Sequence, residues 1–292
     1  MALTLIDANK LSTDVLQKGV VATFTENSEV LDRLPFVEVE GNGYAYNLVD
    51  ELPNVEFRAV NQGYVEDGAS ISRQYETLCI LGGDVDTDVF IAQTRGNIND
   101  IRAIETELKC KALAEKFTQK FFHGNVTHEV NSFDGLIKRV DKGIGKKISK
   151  TLTMPTNQTE ALAVMDVLYD LLAEVKNHTA DVIYISPKNE RIISRAMLLL
   201  GYQTGNGVDE FGKKAIMFNG IPLTVVPEAL GDQYLVAVKL GGEFVSGLTN
   251  GGIKARDLGE AHDKPVLRTR VEFYCGVMTQ HPKAFAIVDL GA

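Results

Sequence analysis

The chain has 292 residues and a formal net charge of −9, from 39 acids against 30 lysines and arginines, with 45% hydrophobic residues. That balance supports a sizeable core and argues against tight, sequence-independent nucleic-acid binding over the whole surface. The length exceeds one modal domain, so one large or two interleaved domains are expected. The start, Met1-Ala2-Leu3, lacks a basic and apolar leader pattern, and no apolar run approaches the roughly 18 residues of a membrane helix. A soluble protein made in a cytoplasm, with no membrane partner, is expected.

Residues 8 to 31 predict an amphipathic helical segment with Val15, Leu16, Val20 and Phe24 on its apolar stripe, closed before Pro35. From Val37 to Ile80 one alternating run follows another: Val37 and Val39, Tyr44 and Tyr46, then Val55, Phe57 and Ala59, then Ile71, Arg73, Tyr75, Thr77 and Cys79. Turn clusters Gly41-Asn42-Gly43, Pro53-Asn54 and Asp67-Gly68 separate them, which predicts long hairpins with one half-apolar face. A lone hairpin is marginal in water, so this ribbon needs a cover from the rest of the chain or from a neighbouring subunit. Ten acids fall between Glu26 and Asp67 against two bases, Arg33 and Arg58, and no lysine occurs from Gly19 to Leu108.

The clearest helix is predicted from about Asn99 to Phe122, with Ile98, Ile101, Ile104, Leu108, Ala112, Phe117 and Phe121 as its stripe and His123-Gly124-Asn125 as its stop. At 1.5 Å per residue it would be about 35 Å long and lie across a sheet. A second helix is predicted from Gln158 to Lys176, capped by Thr156 or Asn157. The pattern then becomes α/β: a buried-type strand at Asp181–Ile185, a helix from Asn189 to Leu200, and short strands at 215–218, 223–226 and 234–239. Long alternation returns near the end. Arg268, Arg270, Glu272 and Tyr274 face one way, Val271, Phe273 and Cys275 the other, and 284–288 forms a closing strand.

Few residue groups suggest chemistry. Asp84, Asp86 and Asp88 have the spacing that opens a calcium loop, but Val89 and Arg95 stand where its glycine and glutamate belong. His123, His128 and Glu129 are loosely spaced for zinc, and the helix already breaks at Gly124. The glycine loops at 205–210 and 241–247 lack the strand-turn-helix context of phosphate sites. Cys79, Cys110 and Cys275 lie far apart and are expected as buried free thiols. No cofactor, metal or catalytic residue is expected. The basic run Lys138, Arg139, Lys142, Lys146, Lys147 and Lys150 is either a solvated loop or a contact for phosphates or an acidic partner segment.

Five segments carry a family likeness: Leu31-Asp32-Arg33-Leu34-Pro35-Phe36, Gly41-Asn42-Gly43-Tyr44-Ala45-Tyr46-Asn47, Leu81-Gly82-Gly83-Asp84-Val85-Asp86, Phe133-Asp134-Gly135-Leu136 and Arg270-Val271-Glu272-Phe273-Tyr274-Cys275-Gly276. Together, in this order, they resemble the major capsid proteins of tailed bacteriophages. The resemblance implies an α+β, Hong Kong 97-like fold: an N-terminal arm (1–40), an extended loop (41–77), a peripheral domain (78–150 and 266–292) with a long spine helix, and an α/β axial domain (151–265). It also implies a virion protein, assembled in the host cytoplasm, whose main partner is itself, in hexamers and pentamers enclosing double-stranded DNA that it contacts weakly. A portal, a separate scaffolding protein or none, and a decoration protein are further implied partners.

In such shells the hairpin lies over an adjacent subunit, so its apolar face is covered in trans. Leu34, Phe36, Tyr44, Tyr46, Phe57 and Arg58 are therefore expected at subunit interfaces, where aromatics and arginine dominate. Leu108, Phe117 and Phe121 are expected to pack the spine helix on its sheet. Some family members weld their shells through a lysine on the extended loop, and this loop has none. Two other readings stay open: an encapsulin-like compartment shell of the same fold, and an α/β enzyme using the glycine loops for a nucleotide.

Overall fold

The computed structural model describes residues 15–51, 53–64, 66, 68, 70–95, 101–202, 207–208 and 214–291. Ile98 and most of the Gly205–Glu210 loop lie outside them. Helix α1 (Val15–Glu26) and the short α2 (Glu29–Arg33) lead into strand β1 (Phe36–Glu38). A two-stranded hairpin follows, β2 (Gly43–Glu51) and β3 (Ser70–Thr77), and the chain runs on into β4 (Cys79–Asp88). Next come α3 (Val89–Arg95), the long α4 (Ile101–His123), α5 (Leu136–Asp141), β5 (Lys146–Ser149) and α6 (Gln158–Ala173). Then follow β6 (Val182–Ile185), α7 (Pro187–Leu199), β7 (Gly207–Val208), β8 (Lys214–Phe218), β9 (Ile221–Val225) and β10 (Tyr234–Val238). Two long strands, β11 (Val245–Glu260) and β12 (Val266–Thr279), precede the last, β13 (Phe285–Asp289).

Local chemistry sets the helix starts. Ser28 caps α2 by accepting from the Leu31 N–H at 3.2 Å, and its hydroxyl also meets Thr118 Oγ1 on α4 at 2.6 Å. Asn157 caps α6 by accepting from the Glu160 N–H at 2.9 Å, while the Glu160 carboxylate reaches back to the Thr156 N–H at 2.7 Å. Two N–H groups without helical partners are thus satisfied reciprocally. Ser186 caps α7, whose first residue is Pro187, pre-set for helical φ.

A seven-stranded sheet runs in the order β5-β13-β10-β6-β9-β8-β7. Its central strands are apolar throughout because both faces are covered. Val182, Tyr184, Val236, Val238, Phe285 and Ile287 join one core with Phe121 and Phe122 of α4. The alternate residues, Ile183, Ile185, Leu235, Ala237, Ala286 and Val288, join the other with α6 and α7. Strict period two assigns each side chain to one face.

A second sheet, β1-β11-β12-β4, has one covered face. Phe273 on β12 anchors it, with ring centroids 5.1 Å from Phe24 of α1, 5.8 Å from Phe36 of β1 and 5.7 Å from Phe117 of α4. The other face carries charge. Register places Arg268 opposite Asp86 and Arg270 opposite Asp84, and each arginine binds its aspartate through two nitrogens at 2.6 to 2.9 Å. These carboxylates, whose spacing matches the opening of a calcium loop, are held below the usual range first by the arginine hydrogen bonds and join β4 to β12 instead.

Four sequence expectations need correction. The 55–59 run is not a strand: residues 53–59 are irregular and exposed. The expected 71–79 strand breaks at Leu78 into β3 and β4. The domain limits shift as well, because β13 lies in the seven-stranded sheet and β11 in the four-stranded one.

Fourth, Leu108 does not pack the spine helix on the sheet but is 58% exposed. The buried face of α4 is Thr106, Cys110, Leu113, Ala114, Phe117, Thr118, Phe121 and Phe122. Each four-residue step over-rotates by about 40°, so Ile104, Leu108 and Ala112 drift off the inner face. The small residues Thr106, Cys110 and Ala114 hold it instead. Phe117 and Phe121 are both fully buried in the main core.

Candidate assembly surface

The hairpin is bolted to the body at its base and stands free at its far end. Tyr46 is buried in a small cluster with Val39, Leu248 and Met278. Its hydroxyl lies 3.4 Å from Glu76 Oε1 and accepts from the Thr279 N–H at 3.5 Å, and its pKa is raised, first by burial and then by Glu76. Tyr44 is half-buried and stacks on Tyr46 at 6.3 Å. Leu48 reaches the main core.

Under this base lies Arg139, only 2% exposed. Its guanidinium donates to Glu76 Oε1 at 2.7 Å, to the Val277 carbonyl at 2.7 Å and to the Asp134 carbonyl at 2.9 Å. One cation thus joins β3, β12 and the turn before α5.

Residues 53–64 are exposed throughout. Val55 is 90% exposed, Val60 89% and Tyr64 73%, and Phe57 is open on all sides. Arg58 lies over the Tyr64 ring at 4.9 Å and donates to the Gln62 carbonyl at 3.1 Å. Four large apolar side chains within ten residues, held in water by a turn with no core beneath it, form a surface suited to burial against another molecule.

The expected interface residues therefore separate. Phe57 and Arg58 are on the free end, and Tyr44 is at the half-buried base. Tyr46, Leu34 and Phe36 are buried within their own chain, so their side chains are core rather than contact surface. Leu34 and Phe36 hold the N-terminal segment to the protomer, with the Phe36 ring 6.2 Å from Phe117.

The basic run is corrected too. Arg139 is the buried clamp just described, out of reach of any phosphate. Lys138 pairs with Asp141 at 2.9 Å, Lys142 with Asp134, Lys147 with Asp289 at 2.6 Å and Lys150 with Asp170 at 2.6 Å. Lys146 is exposed. Intramolecular acids thus answer most of this charge. The zinc candidates are dispersed as well, since Glu129 pairs with Lys120 at 2.7 Å and the His123 ring lies 3.1 Å from the Leu230 carbonyl.

Sequence reading missed the Arg139 clamp and the aspartate–arginine ladder. The ladder did leave a signal: Asp84 and Asp86 on one strand, Arg268 and Arg270 on another, share a two-residue spacing that lets one antiparallel register form both pairs. Arg139 left none, because only the fold brings Glu76 and Val277 to it.

Residues 13–155, just under half of the chain, match the family model of major capsid protein GP7. No curated protein sequence matches. Among solved structures, the holo-SrpI encapsulin complex of Synechococcus elongatus PCC 7942 is similar over 99% of this chain and 96% of its own, at 18% identity and a TM-score of 0.67. The capsid of a native GTA particle covers 92% and 91% at 13% identity and 0.64. A structure from Mycobacterium phage Adephagia covers 90% and 89% at 12% identity and 0.64. The architecture is therefore the Hong Kong 97-like fold of shell-forming proteins. The chain is thus similar to major capsid protein GP7 over residues 13–155 and shares, over nearly its whole length, the fold of phage capsid and encapsulin subunits.

Proposed function

We propose that the protein builds an icosahedral shell of hexamers and pentamers around double-stranded phage DNA, and that the free end of the hairpin is the contact that closes it. The observation behind this reading is the exposed group Val55, Phe57, Val60 and Tyr64, whose cover must come from outside the protomer. A neighbouring copy supplies that cover, and obligate contacts of this kind bury a few thousand Å² per subunit. In this reading the hairpin is the extended loop, the four-stranded sheet with α4 is the peripheral domain, and the seven-stranded sheet with α6 and α7 is the axial domain. The protein acts structurally rather than as an enzyme, and assembles in the host cytoplasm with a portal, a separate scaffolding protein and a surface decoration protein as partners.

Replacing Phe57 and Val60 by serine tests the contact. Both side chains are surrounded by solvent, so the folded protomer should lose no more than about 0.5 kcal/mol. Shell formation, followed by light scattering, should fail. Shells formed as readily as by the parent protein would refute the assignment.

A second reading has support in the 99% coverage by the encapsulin structure. A compartment shell holding a protein cargo uses the same contacts. Nucleic acid inside purified particles supports the phage reading, and a protein cargo without DNA supports the compartment.

A further inference from the structure

Three lysines from separate segments converge at one end of the seven-stranded sheet. Lys239 follows β10, Lys283 precedes β13, and Lys176 follows α6. The backbone stitches them together: the Lys176 N–H donates to the Lys283 carbonyl at 3.0 Å, and the Lys239 N–H to the Ala284 carbonyl at 2.9 Å. The ammonium groups of Lys176 and Lys239 lie 5.8 and 5.0 Å from the centroid of the Phe244 ring. Lys239 also donates to Thr179 Oγ1 at 2.9 Å. The His281 ring sits 5.9 Å from Phe244. Its pKa is lowered, first by burial and then by Lys176, Lys283 and Lys239 together, so all three ammoniums reach one point electrostatically.

The acids nearby do not answer this charge. The Asp181 carboxylate accepts the Leu240 N–H at 2.7 Å, and Glu243 is exposed in the adjoining loop. Among the described residues, no carboxylate lies within ion-pair distance of Lys176, Lys239 or Lys283. The contrast is with Lys138, Lys142, Lys147 and Lys150, each paired with an aspartate. In a chain with nine more negative than positive charges, three neighbouring cations with no carboxylate partner among the described residues leave local positive charge open to an external anion.

We propose that Lys176, Lys239 and Lys283 form a contact for the phosphate backbone of nucleic acid. The residue type selects the partner. Protein interfaces are enriched in arginine and depleted of lysine, whereas hydrated lysine point charges suit sequence-independent phosphate contact. The patch is small and repeats with every subunit, giving weak local contacts that an acidic shell tolerates. The inference rests on the reading that the shell encloses DNA.

The test is an anisotropy titration of the full-length, unassembled protein with a short fluorescent DNA duplex at rising salt. Three phosphate contacts predict an affinity drop of about 40-fold between 50 and 200 mM salt. The variant K176Q/K239Q/K283Q should lose that dependence, K283Q alone should reduce the drop to about 12-fold, and K138Q/K142Q should behave as the parent. Parent-like salt dependence in the triple variant would overturn the proposal. So would a triple variant that binds the duplex normally but fails to form shells, since the lysines would then meet an acidic segment of a neighbouring copy. Lys283 is exposed, so K283Q remains a valid test should the triple variant unfold. Particles holding a protein cargo and no DNA would refute the phage reading without altering this titration.

Discussion

Arg139 and Glu76 meet at 2.7 Å beneath the base of the hairpin, and the guanidinium that makes this contact is 2% exposed. The pair fixes where β3 leaves the body, and so the direction in which the free end projects. A buried ion pair broken on one side leaves an uncompensated charge. Arg139→Ala should therefore cost about 3–5 kcal/mol, read as a lower melting temperature of the unassembled protein. Replacing both partners, as R139M/E76Q, should recover part of the loss. A melting temperature unchanged in R139A would show that the clamp carries no stability.

Phe273, which the spine helix packs against, and Leu108, on the helix itself, should respond oppositely to truncation. Phe273→Ala empties the space between Phe24, Phe36 and Phe117 and should cost about 3–5 kcal/mol. Leu108→Ala, on the exposed side of α4, should stay within about 0.5 kcal/mol. Urea unfolding of both variants decides this, and a large loss in L108A would contradict the helix orientation.

Acid should destabilise the protomer through specific carboxylates. Asp134 is the clearest case. Burial alone would raise its pKa, but the Lys142 ammonium and the Val126 N–H, 2.9 Å away, outweigh that and hold it below the usual value. Asp84 and Asp86 are lowered in the same direction by their arginines. A carboxylate with a depressed folded pKa contributes stability that is present above its unfolded value, about 3.9, and is lost as pH falls through the folded one. The urea midpoint should therefore hold from pH 7 to about 5 and fall below about 4. The D134N variant should start lower at pH 7 and fall less.

Much of this architecture is legible in the residues, because period two and period 3.6 write the strands and helices directly. The apolar runs at 182–185 and 285–288 announce strands covered on both faces. The spine helix shows its two phenylalanines, Phe117 and Phe121. Its N-terminal half misleads because Ile104 and Leu108 point outward while Thr106 and Cys110 allow close approach to the sheet. The hairpin is visible as alternation, yet the Val55–Ala59 run imitates a strand without forming one. Leu34 and Phe36 show their hydrophobicity but not whether their cover is in cis or in trans. Arg139 is the hardest case: a basic run gives no sign that one member turns inward, since that depends on partners 63 and 138 residues away.

The shell should be held without a covalent weld through a lysine of the extended loop, because no lysine lies between Gly19 and Leu108. Particles boiled in detergent should give only the monomer mass by mass spectrometry. Covalent oligomers would overturn this expectation.

Electron microscopy of the purified full-length protein tests self-assembly through the hairpin most directly. Closed particles are predicted, with residues 53–64 of one subunit resolved against the surface of the next. A dispersed monomer at all concentrations, its hairpin end folded onto its own body, would contradict it.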